Sequence, residues 1–316
     1  MLKYIAGRVL ALVPALLGLS ILIFLMIRLI PGTVVEELLG DATATPQMIA
    51  ALRAYFGLDQ PLYVQYFSWL GKVLTGDLGT SWRTGKPVLQ MILALLPLTG
   101  ELAILSVLVS MIVGVALGII SAIKQDTPID NLARVVALFG LSMPVFWQGT
   151  MLILIFSLYF NWMPPIMWVP IWQDPIQNLQ ILILPALCLG TASAATVMRM
   201  TRSCMLEVLR QEYVRTARAK GLHEQAVIAV HALRNAIIPV ITVVGMQLGY
   251  QFGGVVVVEE VFTLNGIGRL VLSGIYQRDY PVVQGTILFI GVIFMVSNLL
   301  VDILYGLFDP RIRYGD

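Results

Sequence analysis

A lysine behind a glycine and a histidine ahead of a glutamate are the two places where this chain could begin chemistry of its own, and both stop short. Gly85-Lys86 has the form of the end of a phosphate-binding loop. The hydroxyl that should follow the lysine and hold magnesium is replaced by Pro87, and Thr80 stands where the first glycine belongs. ATP binding by that route is not expected. His223-Glu224 opens like a zinc-protease helix, but position 227 is Val, so the second imidazole one turn later is missing; His231 is the only other histidine. No G-x-S-x-G nucleophile turn occurs. Cys188 lies in an apolar run and Cys204 in a polar loop, a spacing that suits neither a C-x-x-C pair nor a disulfide framework. No catalytic or metal-ligating residues are therefore expected, and the chain is not expected to be an enzyme.

Two other arrangements bear on packing and docking rather than bond chemistry. Gly245, Gly249 and Gly253 recur every four residues, a small-residue stripe that would let another helix approach closely. Gln247 and Gln251 lie about 200° around the same helix, on the opposite face, where they could line a polar solute path or make an interhelical hydrogen bond. Gly114 and Gly118 form a weaker pair of the same kind. The basic segment Glu212-Tyr213-Val214-Arg215-Thr216-Ala217-Arg218-Ala219-Lys220-Gly221-Leu222 is a good helix former that ends at a glycine. Small Ala217 and Gly221 would let it sink into a partner's cleft, while its cations could equally contact anionic lipid. The residues alone leave both readings open.

What must position these groups is a membrane-embedded helical scaffold. Of the 316 residues 58% are hydrophobic and 12% charged, against about 25% charged in an ordinary soluble domain. The net charge of +2 gives no footing for nucleic acid as a partner. A membrane-spanning helix needs roughly 20 apolar residues, and six uncharged runs qualify: Val9 to Ile27, Leu102 to Ile123, Val135 to about Phe160, Leu179 to Met198, Ala236 to Val258 and Tyr280 to Val301. No barrel-like alternation appears. The first run is too long for a signal peptide and ends in Arg28-Leu29-Ile30-Pro31-Gly32 without a small-x-small cleavage site, which predicts a retained helix. No run carries a charge at its centre, and Glu259 and Asp302 fall at predicted helix ends as interfacial side chains.

The loop between the fourth and fifth runs carries Arg199, Arg202, Arg210, Arg215, Arg218, Lys220 and Arg234 against Glu207, Glu212 and Glu224, which predicts a cytoplasmic position. Both termini then fall inside and the stretch from Asn161 to Asn178 outside. The expected organisation is an N-terminal tail and first transmembrane helix over 1–30, an extracytoplasmic region with short helices over 31–100, and a five-helix core over 101–316 with the loop 199–234. Within the external region, Thr45-Pro46 and Gly57 bracket one short helix and a second follows Pro61. Tyr63, Tyr66, Phe67 and Trp69 on the second suit an interfacial belt better than a ligand site.

The basic loop resembles the E-A-A-x-x-x-G signature of permease subunits of ATP-binding-cassette (ABC) importers, a segment that seats in a groove of the ATPase. Aligned on Gly221, the signature falls on Arg215, Thr216 and Ala217, so the acid and first alanine are replaced; the later I-x-L-P falls on His231, Ala232, Leu233 and Arg234. A fuller resemblance is to the dipeptide, oligopeptide and nickel permease family. It is carried by Ile30-Pro31-Gly32, Phe56-Gly57-Leu58-Asp59, Gly76-Asp77-Leu78-Gly79-Thr80-Ser81, Arg199-Met200-Thr201-Arg202-Ser203, Tyr213 to Leu222, His231-Ala232-Leu233-Arg234-Asn235, Arg278 to Gly285 and Asp309-Pro310-Arg311-Ile312-Arg313. Within that family the chain is similar to the B-type subunit of dipeptide importers.

The resemblance implies an all-α, six-helix polytopic protein of type I importer architecture in a bacterial inner membrane. It implies a second homologous permease, two cytoplasmic ATPases, an extracytoplasmic solute-binding protein and membrane lipid as partners. No cofactor is expected in this chain, ATP and magnesium belonging to the partner subunits. Peptide would cross by alternating access, with nickel or another small solute on the same fold, or an ion-coupled carrier, as the alternatives.

Overall fold

In the computed structural model of this chain the described residues are 2–29, 47 and 59–308. The short helix expected between Thr45-Pro46 and Gly57 lies outside them, as do the motif residues Ile30-Pro31-Gly32, Phe56-Gly57-Leu58 and Asp309 to Arg313. Helices dominate, because in hydrocarbon every backbone N–H and C=O must find a partner within its own segment. Those long enough to cross a bilayer are α1 (Leu2–Leu29), α3 (Val88–Ile123), α6 (Pro175–Leu209), the 38-residue stretch Glu224–Val261 that ends in α8 (Leu233–Val261), and α10 (Tyr280–Phe308). Shorter helices are α2 (Leu62–Leu74), α4 (Pro128–Ser142), α5 (Val145–Phe160), α7 (Glu212–Ala219) and α9 (Ile267–Tyr276).

The single helix expected over Val135–Phe160 is in fact two: α4 and α5 meet at a 104° bend. Pro144 causes it, since a residue before proline is pushed out of the helical region, and Met143 sits at φ −80°, ψ 133°. The pair counts as one broken span beside the five long helices. At 1.5 Å per residue, α3 and α6, at 36 and 35 residues, reach about 50 Å, well beyond a hydrocarbon core of about 30 Å. Both therefore extend past the uncharged runs that reveal them. Cys204, expected in a loop, lies within α6.

The chain divides into two compact units. The first comprises Leu96–Arg269, Met1–Ile5 and the chain from Ile293 on. Here α6 is central, packing on α4, α5 and α8. Its closest approach is to α3. A Cβ placed on Gly118 would lie 2.5 Å from the Thr201 Cβ and 2.8 Å from the Met198 carbonyl oxygen; one on Gly114 would lie 2.6 Å from the Val197 Cβ, and one on Gly190 2.6 Å from the Val109 Cβ. The weaker pair of the sequence thus marks a close α3–α6 contact. On α8, Gly245 and Gly249 face Val301 and Phe294 of α10, whereas Gly253 has nothing within 4 Å and leaves the predicted stripe.

The second unit comprises Ala6–Leu95 and Leu270–Val292. The helix expected after Pro61 is α2, and it leans on α1: the Tyr66 hydroxyl is 2.8 Å from Ser20 Oγ, and the Phe24 ring meets those of Tyr66 and Trp69 at 5.4 and 5.9 Å. Tyr66 and Trp69 are thus intramolecular anchors, while Tyr63 and Phe67 stay exposed, as an interfacial belt requires. Asp279, between α9 and α10, accepts hydrogen bonds from Ser81 Oγ at 2.5 Å and from the backbone N–H groups of Trp82 and Arg83. It thereby joins two of the motif stretches that lie far apart in sequence.

The contrast between glycines is testable. Gly118→Ala, which drives a methyl into backbone, should lower stability by about 1–3 kcal/mol, whereas Gly253→Ala should be neutral or stabilising by up to about 1 kcal/mol. Thermal loss of the monodisperse peak in detergent measures both. Equal midpoints would contradict the close α3–α6 approach.

Candidate functional site

Between α6 and α8 the chain leaves the long helices and forms α7, whose amphipathic pattern fixes how it sits. Val214 and Ala217, three residues apart, face inward and are buried with Val227 against Val208 and Leu209. Ala217 is small because its own chain covers it, which corrects the expectation that a partner does. Gly221 is also explained internally. It lies at φ +78°, with no atom within 4 Å of where a Cβ would be, and a side chain in that left-handed conformation costs about 1–2 kcal/mol. Its N–H donates to the Arg218 carbonyl and that of Leu222 to the Ala217 carbonyl, the two bonds that close a helix at a left-handed glycine.

Side chains then lock the segment. Arg218 donates two hydrogen bonds to Glu224, at 2.7 and 3.1 Å, and this carboxylate raises the guanidinium above its ordinary pKa. Asn235 Nδ2 donates to the Tyr213 hydroxyl at 2.7 Å, and that hydroxyl donates to the His231 carbonyl at 3.4 Å. His231 falls in a π-helical stretch, Val227–Ala232, that leads into α8. The Arg215–Glu212 pair at 2.8 Å is largely exposed and adds little. Glu212, Tyr213, Arg215, Thr216, Arg218, Ala219, Lys220, Gly221 and Leu222 all remain exposed. A short helix, pinned by its inner face, thus presents an outer face built around Thr216, Ala219 and Leu222.

The glutamines of α8 are oriented differently from the path reading. Gln247, 9% exposed, accepts from Ser110 Oγ at 2.9 Å and donates to the Ser193 carbonyl at 3.2 Å; Gln251, 5% exposed, donates to Ser193 Oγ at 3.3 Å. Both bind α8 to its neighbours, so in this chain they are interhelical hydrogen bonds rather than lining of an open path.

Three buried or partly buried carboxylates were missed as anchors. Glu259 is fully buried rather than interfacial: it accepts from Thr99 Oγ1 at 2.7 Å and from the Arg269 N–H at 3.0 Å, and Thr99 accepts the Ile267 N–H, so α3 and α8 together cap α9. A Cβ on Gly266 would overlap its carboxylate. Glu101 accepts from Trp168 Nε1, the Ile171 N–H and Asn178 Nδ2, holding the segment that leads to α6. Asp130, also fully buried, receives Arg202 Nη2 at 2.9 Å, Arg134 at 3.2 Å and the Ser121 hydroxyl. The available signal was an acid next to an apolar run, as at Glu101 and Glu259, or within two turns of one, as at Asp130, which sequence alone reads as a solvated end.

Long apolar helices with a clamped basic helix between two of them define a class: polytopic helical membrane proteins with an exposed interhelical segment. The family model for the binding-protein-dependent transport system inner membrane component matches residues 114–314, and that for the N-terminal part of such membrane components matches residues 1–103. The dipeptide transport system permease protein DppB of Alkalihalophilus pseudofirmus is 43% identical, covering 99% of this chain and 100% of its own. The di/tripeptide permease DppB of Pseudomonas aeruginosa is 42% identical, and the dipeptide permease DppB of Escherichia coli 38%, each covering 99% of both chains. The chain belongs to the family of binding-protein-dependent transport system inner membrane components. It is a multi-pass transmembrane permease subunit of an ABC importer, a transport class and not an enzyme class.

The inward placement of Ala217 separates two substitutions. Ala217→Trp should raise amide hydrogen exchange over 212–219 in the isolated subunit by about tenfold or more, since overpacking costs about 1–3 kcal/mol. Ala219→Trp on the outer face should leave exchange unchanged. Equal protection in both variants would refute the assigned faces.

Proposed function

We propose that this subunit forms half of a translocation path for dipeptides or oligopeptides across a bacterial inner membrane, and that α7 is the element through which ATPases drive it. The peptide reading rests on the names of full-length relatives at 38–43% identity. The coupling reading rests on one observation: a helix with an exposed outer face, locked to the foot of α8 by Tyr213, Asn235, Arg218 and Glu224. Force applied to such a helix passes into α8 instead of being absorbed by a loose loop.

The assembly in this reading has a second homologous permease beside this one, two ATPases against α7 inside, and a solute-binding protein outside that delivers peptide. ATP and magnesium are held by the ATPases, and no cofactor by this chain. Both termini and the 199–234 loop face the cytoplasm, and the 31–100 region faces out. Closure of the ATPases draws the coupling helices together and switches the permeases between inward-open and outward-open states, which requires the ATPases to bind those states with unequal affinity.

Ala219→Trp and Thr216→Trp test the coupling role, because they enlarge the outer face without touching the clamp. Peptide uptake should fall by about tenfold or more, a loss of some 1.4 kcal/mol of productive coupling, with insertion unchanged and either ATPase co-purification lost or ATP hydrolysis uncoupled from uptake. Normal coupled uptake in both would exclude α7 as the drive point. Orientation is read from single cysteines in a background without Cys188 and Cys204. An impermeant maleimide added to intact cells should label Gln173→Cys and spare Leu222→Cys; the reverse pattern would invert the topology.

A further inference from the structure

One cleft in the first unit is unused by the coupling segment. It has a volume of about 660 Å³ and lies between α4 and the distal half of α6. Arg199, Arg202 and Ser203 of α6 and Arg210 at its C-terminal cap line it, with Arg134 of α4 opposite. Arg202, Ser203 and Arg210 lie three, four and eleven residues beyond Arg199 and so fall on one helix stripe. Four guanidiniums face one lining carboxylate, Glu207, with Asp130 beside them. Asp130 engages Arg134 and Arg202. Arg199 and Arg210 have no side-chain hydrogen bond or ion pair among the described residues, so the cleft keeps an uncompensated positive charge of two.

The level of the cleft and its flank say what would neutralise it. Arg199 is the first charge after the uncharged run Leu179–Met198, which is about as long as the hydrocarbon core is thick. Arg199 therefore stands at the headgroup level of one leaflet, with Arg202 and Arg210 further out along the same stripe. Beside them α4 exposes Leu132, Val135, Val136 and Phe139, at 51–64% exposure, on a continuous apolar face. A soluble anion would satisfy the arginines and leave that face bare. A diacyl phospholipid meets both, with its phosphate on the cations and its chains along α4.

We propose that this cleft binds the phosphate headgroup of an anionic phospholipid of the cytoplasmic leaflet, with Arg199 and Arg210 as the binding cations and the exposed face of α4 as the acyl-chain track. The leaflet follows from the orientation proposed above, and the inference rests on that reading. Basic pockets between transmembrane helices on that side suit anionic headgroups, each cation contributing about fivefold in affinity.

The test uses the assembled transporter in nanodiscs containing a photoactivatable phosphatidylglycerol. Label should map to peptides spanning 128–142 and 199–211. It should fall by about tenfold or more in Arg199→Gln/Arg210→Gln, where neither side chain supports the fold. Inorganic phosphate at high concentration should not displace it, and photoactivatable phosphatidylcholine should label weakly. Equal labelling by the two lipids, an undiminished signal in the double variant, or displacement by phosphate would each overturn the proposal. So would labelling of the separated subunit alone, which would make the cleft a contact with the second permease. ATPase co-purification, scored on the same preparations, tests the importer assembly separately, and maleimide labelling at Gln173→Cys tests the leaflet.

Discussion

The structure depends first on how closely α3 and α6 approach. Apolar side chains gain nothing from leaving lipid for one another, so helices in a membrane are held by close packing and by hydrogen bonds. Glycine at 114, 118 and 190 removes the atoms that would keep these two backbones apart, and the neighbouring Val109, Val197 and Thr201 fill the space. Because α6 also packs on α4, α5 and α8, its axis sets the frame of the first unit. It also sets where α7 begins, since α6 ends at Leu209 and α7 starts at Glu212.

Carboxylates complete what the glycines begin. A buried carboxyl group is tolerated only when hydrogen-bond partners surround it, and that requirement turns each acid into a fastening point. Glu259 collects Thr99 and the first N–H groups of α9; Glu101 collects Trp168, Ile171 and Asn178; Asp130 collects Ser121, Arg134 and Arg202. In the second unit Asp279 does the same for Ser81, Trp82 and Arg83. Glu259, Asp130 and Asp279 lie near helix ends and Glu101, inside α3, receives the segment that leads to α6, so the connections are fixed by directional bonds and the spans by packing.

This division bears on transport. A path that opens alternately to two sides needs rigid elements that move as bodies and defined points at which they are pushed. The bend at Pro144 divides one passage into two helices, and the π-helical turn before α8 interrupts another at its foot. Between the foot of α8 and the end of α6 lies α7, held on its inner face by apolar contacts and at its ends by Arg218–Glu224 and Tyr213–Asn235. Its outer face carries no such bonds and remains available.

By itself the sequence determined the class, the number of apolar passages and the existence of the basic helix ending at Gly221. Those follow from properties local to the chain: run length against bilayer thickness, helix propensity, and the left-handed turn that glycine permits. The family resemblance also marked Ser81 and Asp279 as belonging to stretches of interest, though not to each other. What only the tertiary structure decided is which face of each helix meets which neighbour. In a uniformly apolar helix the periodicity that reports a buried face in water is nearly absent, so Gly253 looked equivalent to Gly249 and the pair Gly114 and Gly118 looked minor. For the same reason the interhelical bonds of Gln247 and Gln251 and the burial of Glu259 depended on residues 54 to 160 positions away in the chain, and the inward turn of Ala217 on a fold-back no local pattern records. Contacts of that range are set by packing geometry, which the order of residues implies but does not display.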